Sequence, residues 1–216
     1  METEAKDATS DQAIEEEGKK EDSIEKPAKE SKHLLESPWV FWYDARAPAK
    51  RAPGEKDNAY ESNLRQIGRF DSVEGFWRIY NNLDKPSKMD VGATLHMFKD
   101  GIKPMWEDPV NKKGGKLVIN IRDNKSRLDK YWDDLVLALV GETLDPENEI
   151  CGAVASRRKV DRVALWFRSV DKEVVQELLK RMKSILGLTS DVTVEFSANE
   201  ASLESGTSFG HTSRLF

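Results

Sequence analysis

Three stretches of this 216-residue chain repeat their apolar side chains at helical spacing, and short runs of aromatic and β-branched residues lie between them. Val73, Phe76, Trp77 and Tyr80 stand at i, i+3, i+4 and i+7, so a helix opening at Asp71-Ser72 gathers all four on one side. Leu128, Tyr131, Trp132, Leu135, Val136 and Leu139 share one side of a longer helix, which Ser126 can cap and Gly141 ends; Leu137 and Val140 fall off that stripe. Val174, Val175, Leu178, Leu179, Met182 and Ile185 form the apolar side of a third helix, between Asp171 and Gly187.

Trp39–Tyr43, the segment through Leu95 and Met97, Lys116–Ile121, Ile150–Ser156, Val163–Val170 and Val192–Phe196 read as strands. Residues 44–59, rich in Ala, Pro, Lys, Arg and Gly, read as an exposed loop. Strands and helices are mixed, and several strands are a hairpin's length apart. The expected class is α+β: a curved antiparallel sheet of about eight strands with three helices on its convex face, the concave face left for a ligand.

Charge divides the chain unevenly. Residues 1–32 hold six basic and eleven acidic side chains, which is the whole of the net charge of −5. They contain no Phe, Trp, Tyr, Leu or Val, so they cannot bury enough apolar surface to offset the entropy of ordering. The expected organisation is a disordered acidic segment over 1–32, one domain over 33–198 and a mobile Ser/Gly/Thr-rich tail over 199–216. The leading segment has no apolar stretch of the secretory kind, and the longest apolar run in the body, Leu135–Val140, is far too short to span a bilayer. A single cysteine, Cys151, excludes an internal disulfide. The expected location is the cytosol, with the nucleus as a second compartment, and the expected state a monomer without cofactor. A neutral body does not suit a protein that coats nucleic acid; it suits one that takes a small local feature.

Within Phe98–Lys116 a tryptophan, Trp106, stands directly before a carboxylate, Glu107, among turn formers. An indole can stack on a purine face while an acceptor-only carboxylate takes protons from the base edge. On residue type alone Trp166 reads as core, Tyr60 as a surface turn, and Arg157-Arg-Lys159 as a solvated hairpin.

Several long stretches resemble the cap-binding translation initiation factor 4E family. They are Trp39-Val-Phe-Trp-Tyr43, Asn63-Leu-Arg-Gln-Ile67, Phe70-Asp-Ser-Val-Glu-Gly-Phe-Trp77, Phe98–Glu107, Gly141-Glu142, Ile150-Cys-Gly-Ala-Val154 and Arg157 through Arg162-Val-Ala-Leu-Trp166. They run in order from about His33 to Phe196. Phe41-Trp-Tyr43 and Tyr60–Gly68, with Tyr60 where the main factor has tryptophan, are most similar to the 4E-homologous, or class II, branch.

The resemblance implies a ligand, the 7-methylguanosine cap of messenger RNA, in a slot on the concave face. Tyr60 and Trp106 would stack on the base, Glu107 would accept from guanine N1–H and N2–H2, and Trp166 would meet the N7 methyl. Methylation makes the ring cationic, and a desolvated cation–π contact can add ~2 kcal/mol to stacking. Lys116, Arg157 and Arg162, with Lys159 nearby, would bind the cap phosphates; Arg158 should point away. The resemblance also implies a dorsal patch of Val73, Trp77, Leu137, Val140 and Gly141, where a 4G-type initiation scaffold or a 4E-binding repressor docks a helix. Periodicity alone places Val73 and Trp77 in the core.

Three residues depart from the family pattern. His33-Leu34 replaces His-Pro, Leu117 follows Lys116 where tryptophan is common, and Asp133 stands where the patch usually has leucine. Two functions therefore compete: cap binding in an early step of initiation, and cap-binding repression without productive scaffold recruitment. A cap hydrolase is the third. The scattered histidines 33, 96 and 211, the absence of Asp/Glu at metal-ligand spacing and a cysteine in an apolar strand speak against it.

Overall fold

The computed structural model describes residues 32–45, 61, 63–122, 124–145, 147–201 and 212–215, all within one compact unit, Lys32–Phe216. The leading segment, loop residues 46–60 with Tyr60, and residues 202–211 lie outside the described residues.

Eight strands form one antiparallel sheet in the order β2-β1-β3-β5-β6-β4-β7-β8. They are β1 (Leu34–Ala45), β2 (Leu64–Ser72), β3 (Ala93–Lys99), β4 (Gly115–Ile121), β5 (Ile150–Ser156), β6 (Asp161–Phe167), β7 (Val194–Ala198) and β8 (Thr212–Leu215). The helices are α1 (Val73–Tyr80), the single turn α2 (Pro109–Lys112), α3 (Lys125–Val140) and α4 (Lys172–Leu186), with a 3-10 turn at Pro86–Lys88. Each long helix begins where a side chain accepts an otherwise orphaned N–H: Ser72 from Gly75, Asn124 from Arg127, Asp171 from Glu173 and Val174. The expected cap Ser126 lies inside α3, because Asn124 supplies the acceptor two residues earlier.

Alternation along the strands sorts the interior into two layers. Phe41, Leu95, Met97, Leu117, Ile119, Leu165 and Phe167 face the helices and pack with Phe76, Leu128, Trp132, Leu135, Leu178 and Met182. Trp132 is fully buried, so its truncation to alanine would cost about 3–5 kcal/mol. On the face opposite the long helices, Phe98, Val118, Cys151, Val154, Ala164 and Trp166 form a smaller cluster with Ile102, and Trp42 and Trp106 pack partly on it.

The expected tail is only partly a tail. Asn199 is buried and its Nδ2 donates to the Asn111 carbonyl, and Thr212–Leu215 pairs with β7 from Val194↔Leu215 to Ser197↔Thr212. Without it β7 would present an open ladder of N–H and C=O groups, which sheet edges avoid. β2 also lay outside the strand reading, since Leu64–Ser72 is mostly polar and exposed over Arg65, Gln66 and Ile67, with only Phe70 and Ser72 buried near its end. No helix among the described residues is long and apolar enough to cross a membrane.

Candidate functional site

The site begins with the turn that carries Trp106 and Glu107, between β3 and β4. Asp108 fixes its near end: one carboxylate oxygen accepts from Lys103 N at 2.9 Å, the other from Val110 N at 2.9 Å, capping α2. Pro109 follows at the first helical position, where its missing N–H costs nothing. Asn111, fully buried, donates from Nδ2 to the carbonyls of Lys103 (2.8 Å) and Met105 (2.9 Å). A loop with few internal bonds is thus pinned on both sides of Trp106. Trp106 is half-buried and Glu107 exposed beside it.

Trp166 reaches the same place from β6. It faces Lys116 on β4 and Gly152 on β5, on the side of the sheet away from the long helices. A bulge between Ile150 and Gly152 adds one residue to β5 and sets that pairing. Gly152 is required there: a Cβ would lie 2.4 Å from the Phe98 ring and 2.6 Å from the Met97 carbonyl. Phe98 in turn meets the Trp166 ring edge-on at 5.7 Å. The Lys116 ammonium lies 5.4 Å from the centroid of the Trp106 ring and 5.2 Å from that of Trp166. Burial, and then the charge of Arg162, bring the Lys116 pKa down to about 8. Trp106, Trp166 and Lys116 are therefore brought together, the ammonium beside the two rings.

Tyr60 lies outside the described residues. Its neighbour Glu61 accepts a hydrogen bond of 2.5 Å from Lys103 Nζ, which ties the chain next to Tyr60 to the start of the Trp106 turn.

The basic residues require a correction. Arg157 was expected at the phosphates and Arg158 away from them; the structure turns Arg157 to the side of the long helices and Arg158 to the face that carries Trp166. Val154 packs on the face opposite the long helices, Ala155 among those helices, and Ser156 sits opposite Arg162, so Arg157 falls on the helix side. There it is 8% exposed, ion-paired with Asp161 and directed at the Met89 carbonyl. Arg158 returns to the site side. Its Nη2 donates to Thr94 Oγ1 at 3.0 Å and its Nη1 to the carbonyls of Ala93 and Arg157. Its charge reaches Arg162, which burial first and Arg158 second hold below the usual guanidinium range, Glu195 pulling the other way. Arg162 donates to Asn120 Oδ1 at 3.1 Å, and Lys159 is exposed near the tip of the β5–β6 hairpin.

His96 on β3 was given no role. It pairs with Trp42 and Val154 on the site face, is 3% exposed, and neither ring nitrogen has a hydrogen-bond partner. Burial, then Arg158, push its pKa down to about 3, so it stays neutral. Asp108 and Asn111 also escaped notice. The Asp-Pro pair after Glu107 was a readable helix start; nothing local marks Asn111, whose partners lie eight and six residues back.

On the helix side, Trp77 is 40% and Leu137 41% exposed, Val73 is half-buried and Gly141 exposed. The exposed Trp77 overrules the periodicity reading. Val140, expected on the patch, is instead buried in the main core at the end of α3. Asp133 accepts from the Tyr80 hydroxyl and from Lys85 Nζ at 2.7 Å, joining α1 to α3.

Among the described residues no group of three or more His, Cys, Asp or Glu is placed to hold a metal. Residues 34–214 match the family described as eukaryotic initiation factor 4E. Eukaryotic translation initiation factor isoform 4E of Arachis hypogaea is 38% identical over 178 residues, 81% of this chain and 85% of that protein. The structure superposes on C. elegans eIF4E-3, solved with the 4E-binding protein Mextli and a cap analog, with a TM-score of 0.71 and 33% identity, covering 81% of this chain and 96% of that one. Ascaris suum eIF4E-3, solved with an m7G cap, gives 0.70 and 34% over 78% of this chain and 92% of that one. The order of strands, the Trp106-Glu107 turn and these matches agree: the chain belongs to the eukaryotic initiation factor 4E family.

Proposed function

We propose that this protein binds the 7-methylguanosine cap of messenger RNA in an early step of translation initiation, in the cytoplasm and, as a second compartment, the nucleus. The observation that carries the reading is the meeting of the Trp106 and Trp166 rings around a cation, with Glu107 exposed beside them. A methylated guanine is itself a cation with a donor edge, so it suits both features. Trp106 stacks on the base, with Tyr60 on the other face; Glu107 accepts from the guanine edge; Trp166 meets the methyl group. Arg158, Arg162, Lys116 and Lys159 serve the phosphates, Arg158 replacing the buried Arg157. The chain acts as a binder and breaks no bond. Trp77, Leu137, Val73 and Gly141 offer a dorsal surface to a helix of an initiation scaffold or a 4E-binding regulator.

Titrating the tryptophan fluorescence with 7-methylguanosine triphosphate and with guanosine triphosphate tests this. Quenching by the first at concentrations at least tenfold lower than the second is expected, since plain guanine stacks without the ~2 kcal/mol cation–π gain. Equal responses would refute it. A second reading, repression by competition for caps, is favoured by Asp133, a carboxylate among the dorsal apolar residues. Partners recovered from cells separate the two: a scaffold-free complex supports repression.

A further inference from the structure

Trp106 and Trp166 stand on different supports. Trp166 is part of the sheet, on β6, whereas Trp106 is carried by the turn between β3 and β4. The placing of one ring against the other is therefore set by whatever fastens the turn to the sheet. Asp108 does not do this, because its bonds to Lys103 N and Val110 N both lie inside the turn. Ile102 fastens the near end, in the cluster with Phe98 and Trp166. The far end falls to Asn199, the residue directly after β7, which is fully buried. Its backbone N–H donates to the Gly114 carbonyl at 2.9 Å and its Nδ2 to the Asn111 carbonyl at 2.9 Å. One residue at the end of a strand thus grips both ends of the Asn111–Gly114 connector. The connector has no slack on its other side: a Cβ on Gly114 would lie 2.0 Å from the Phe167 carbonyl. Asn111, gripped by its backbone, holds the carbonyls of Lys103 and Met105 with its side chain. The Met105 carbonyl belongs to the peptide unit whose nitrogen is that of Trp106, and that unit is planar, so holding the oxygen fixes the direction in which Trp106 leaves.

We infer that Asn199 is a positioning residue of the slot: acting through Asn111, it sets the Trp106 ring against the sheet that carries Trp166. The inference rests on the cap-binding reading above. A neutral amide suits the task, since it brings a donor to a carbonyl in a dry place without the cost of burying a charge. Stacking and edge contacts hold a ligand well only when their groups are kept within ~0.5 Å of the productive geometry. A turn that slips on the sheet weakens recognition of the base although Trp106 and Glu107 are both still present.

The alternative role is plain stability, in which Asn199 closes the end of β7 and has no bearing on the turn. Asn199→Leu keeps the volume, removes the side-chain donor and leaves the backbone bond to Gly114 in place. The full chain, wild type and variant, carries 15N at the indole nitrogens of its six tryptophans and is compared without ligand, Trp106 and Trp132 being identified by their own Phe replacements. The Trp106 resonance should shift or broaden in the variant, while that of Trp132, in the core on the helix side, stays. Affinity for 7-methylguanosine triphosphate, from the fluorescence titration, should fall about fivefold, the scale of one lost hydrogen bond. The double variant Asn111→Ala/Asn199→Leu should bind within about twofold of Asn111→Ala alone, since its second change cuts a relay already broken. An unmoved Trp106 resonance overturns the inference, whatever happens to Tm, and so does a double variant that loses a further fivefold. Asn199→Ser, whose hydroxyl is too short to reach the Asn111 carbonyl, is measured alongside; it should repeat both effects, and it decides if Asn199→Leu does not fold. Failure of the cap-binding reading looks different: wild type would not respond to the triphosphate, while the Trp106 resonance still reports on Asn199.

Discussion

Arg157 and Arg158 are neighbours in sequence with opposite assignments, and the difference can be measured. The Arg157–Asp161 pair leaves only 9% and 10% of its two side chains exposed. Arg157→Ala leaves the Asp161 carboxylate buried and without its cation, a defect of about 3–5 kcal/mol. In a chain of this size 1 kcal/mol moves Tm by roughly 2–4 °C, so Tm should fall by about 10 °C. Arg158→Ala removes a half-buried side chain held by a hydroxyl and two carbonyls. Its net structural contribution is about 1–2 kcal/mol. Its charge lies on the site face beside Arg162, so a charge-assisted phosphate contact of about 1.5–3 kcal/mol is lost, which weakens 7-methylguanosine triphosphate binding at least tenfold. The assay pairs thermal unfolding with the fluorescence titration, both below the variants' melting range. Arg157→Ala should be the less stable protein and bind within about threefold of wild type at low temperature; Arg158→Ala should be the reverse. If Arg157→Ala loses the ligand at unchanged Tm while Arg158→Ala binds normally, the strand alternation argument is wrong.

Asn111→Ala strips the donors from two loop carbonyls, a cost of about 2–4 kcal/mol; Tm should drop by roughly 5–15 °C and cap affinity at least tenfold, and a variant unchanged in both would remove Asn111 from the account. Glu107→Gln should weaken 7-methylguanosine triphosphate binding by about a hundredfold, because one acceptor for the guanine edge becomes a donor; retention on cap resin within twofold of wild type would dispose of the assigned role. His96 predicts the acid limb of stability. Its folded pKa, about 3, lies below the ordinary 6.5, so between these values the unfolded chain takes up the proton first. Stability should therefore fall as pH drops below about 6.5, by at most ~1.4 kcal/mol per pH unit from this group. Denaturant midpoints of wild type and His96→Gln over pH 4–7 should diverge toward acid; parallel curves would mean His96 is not buried as described.

The parts legible in the sequence are those fixed by local pattern. Three helices followed from 3.6-residue stripes, because each buries one side on the sheet. β2 was missed for the converse reason: with little to bury at a sheet edge, it carries no alternation to read. Arg157 shows how a resemblance can mislead by a single residue. The side-chain period of a strand is two, so a slip of one in the hairpin exchanges the two faces. The alternation Val154, Ala155, Ser156 puts Arg157 on the side of the long helices and returns Arg158 to the site face. Val140 erred differently. Its position off the helical stripe is real, but the chain folds back at Gly141, where Thr143 N donates to the Ala138 carbonyl, and Leu144 nearby is fully buried. Leu137, one turn earlier, has no such cover.

Asp133 gives the dorsal surface a means of choosing partners that the slot does not share. Its carboxylate accepts from the Tyr80 hydroxyl and pairs with Lys85, with 30% of the side chain still exposed. Its charge is therefore balanced within the protein, and the apolar Trp77 and Leu137 remain available around it. A partner helix that lays an apolar side chain over Asp133 strips water from the carboxylate and from Lys85 and offers no bond in exchange. A helix that places a hydroxyl or guanidinium there keeps them satisfied. Specificity is the difference between those two affinities. At about 1–3 kcal/mol for a polar group buried without a partner, it amounts to roughly five- to hundredfold. Asp133→Leu should erase that difference: a helical peptide with leucine at the facing position should bind the variant more tightly, and one with arginine more weakly. Cap affinity should not move, because the sheet lies between α3 and the site face. A variant that keeps the wild-type preference would show that the carboxylate is shielded by Tyr80 and Lys85 from whatever docks above it, and that discrimination does not arise at this position.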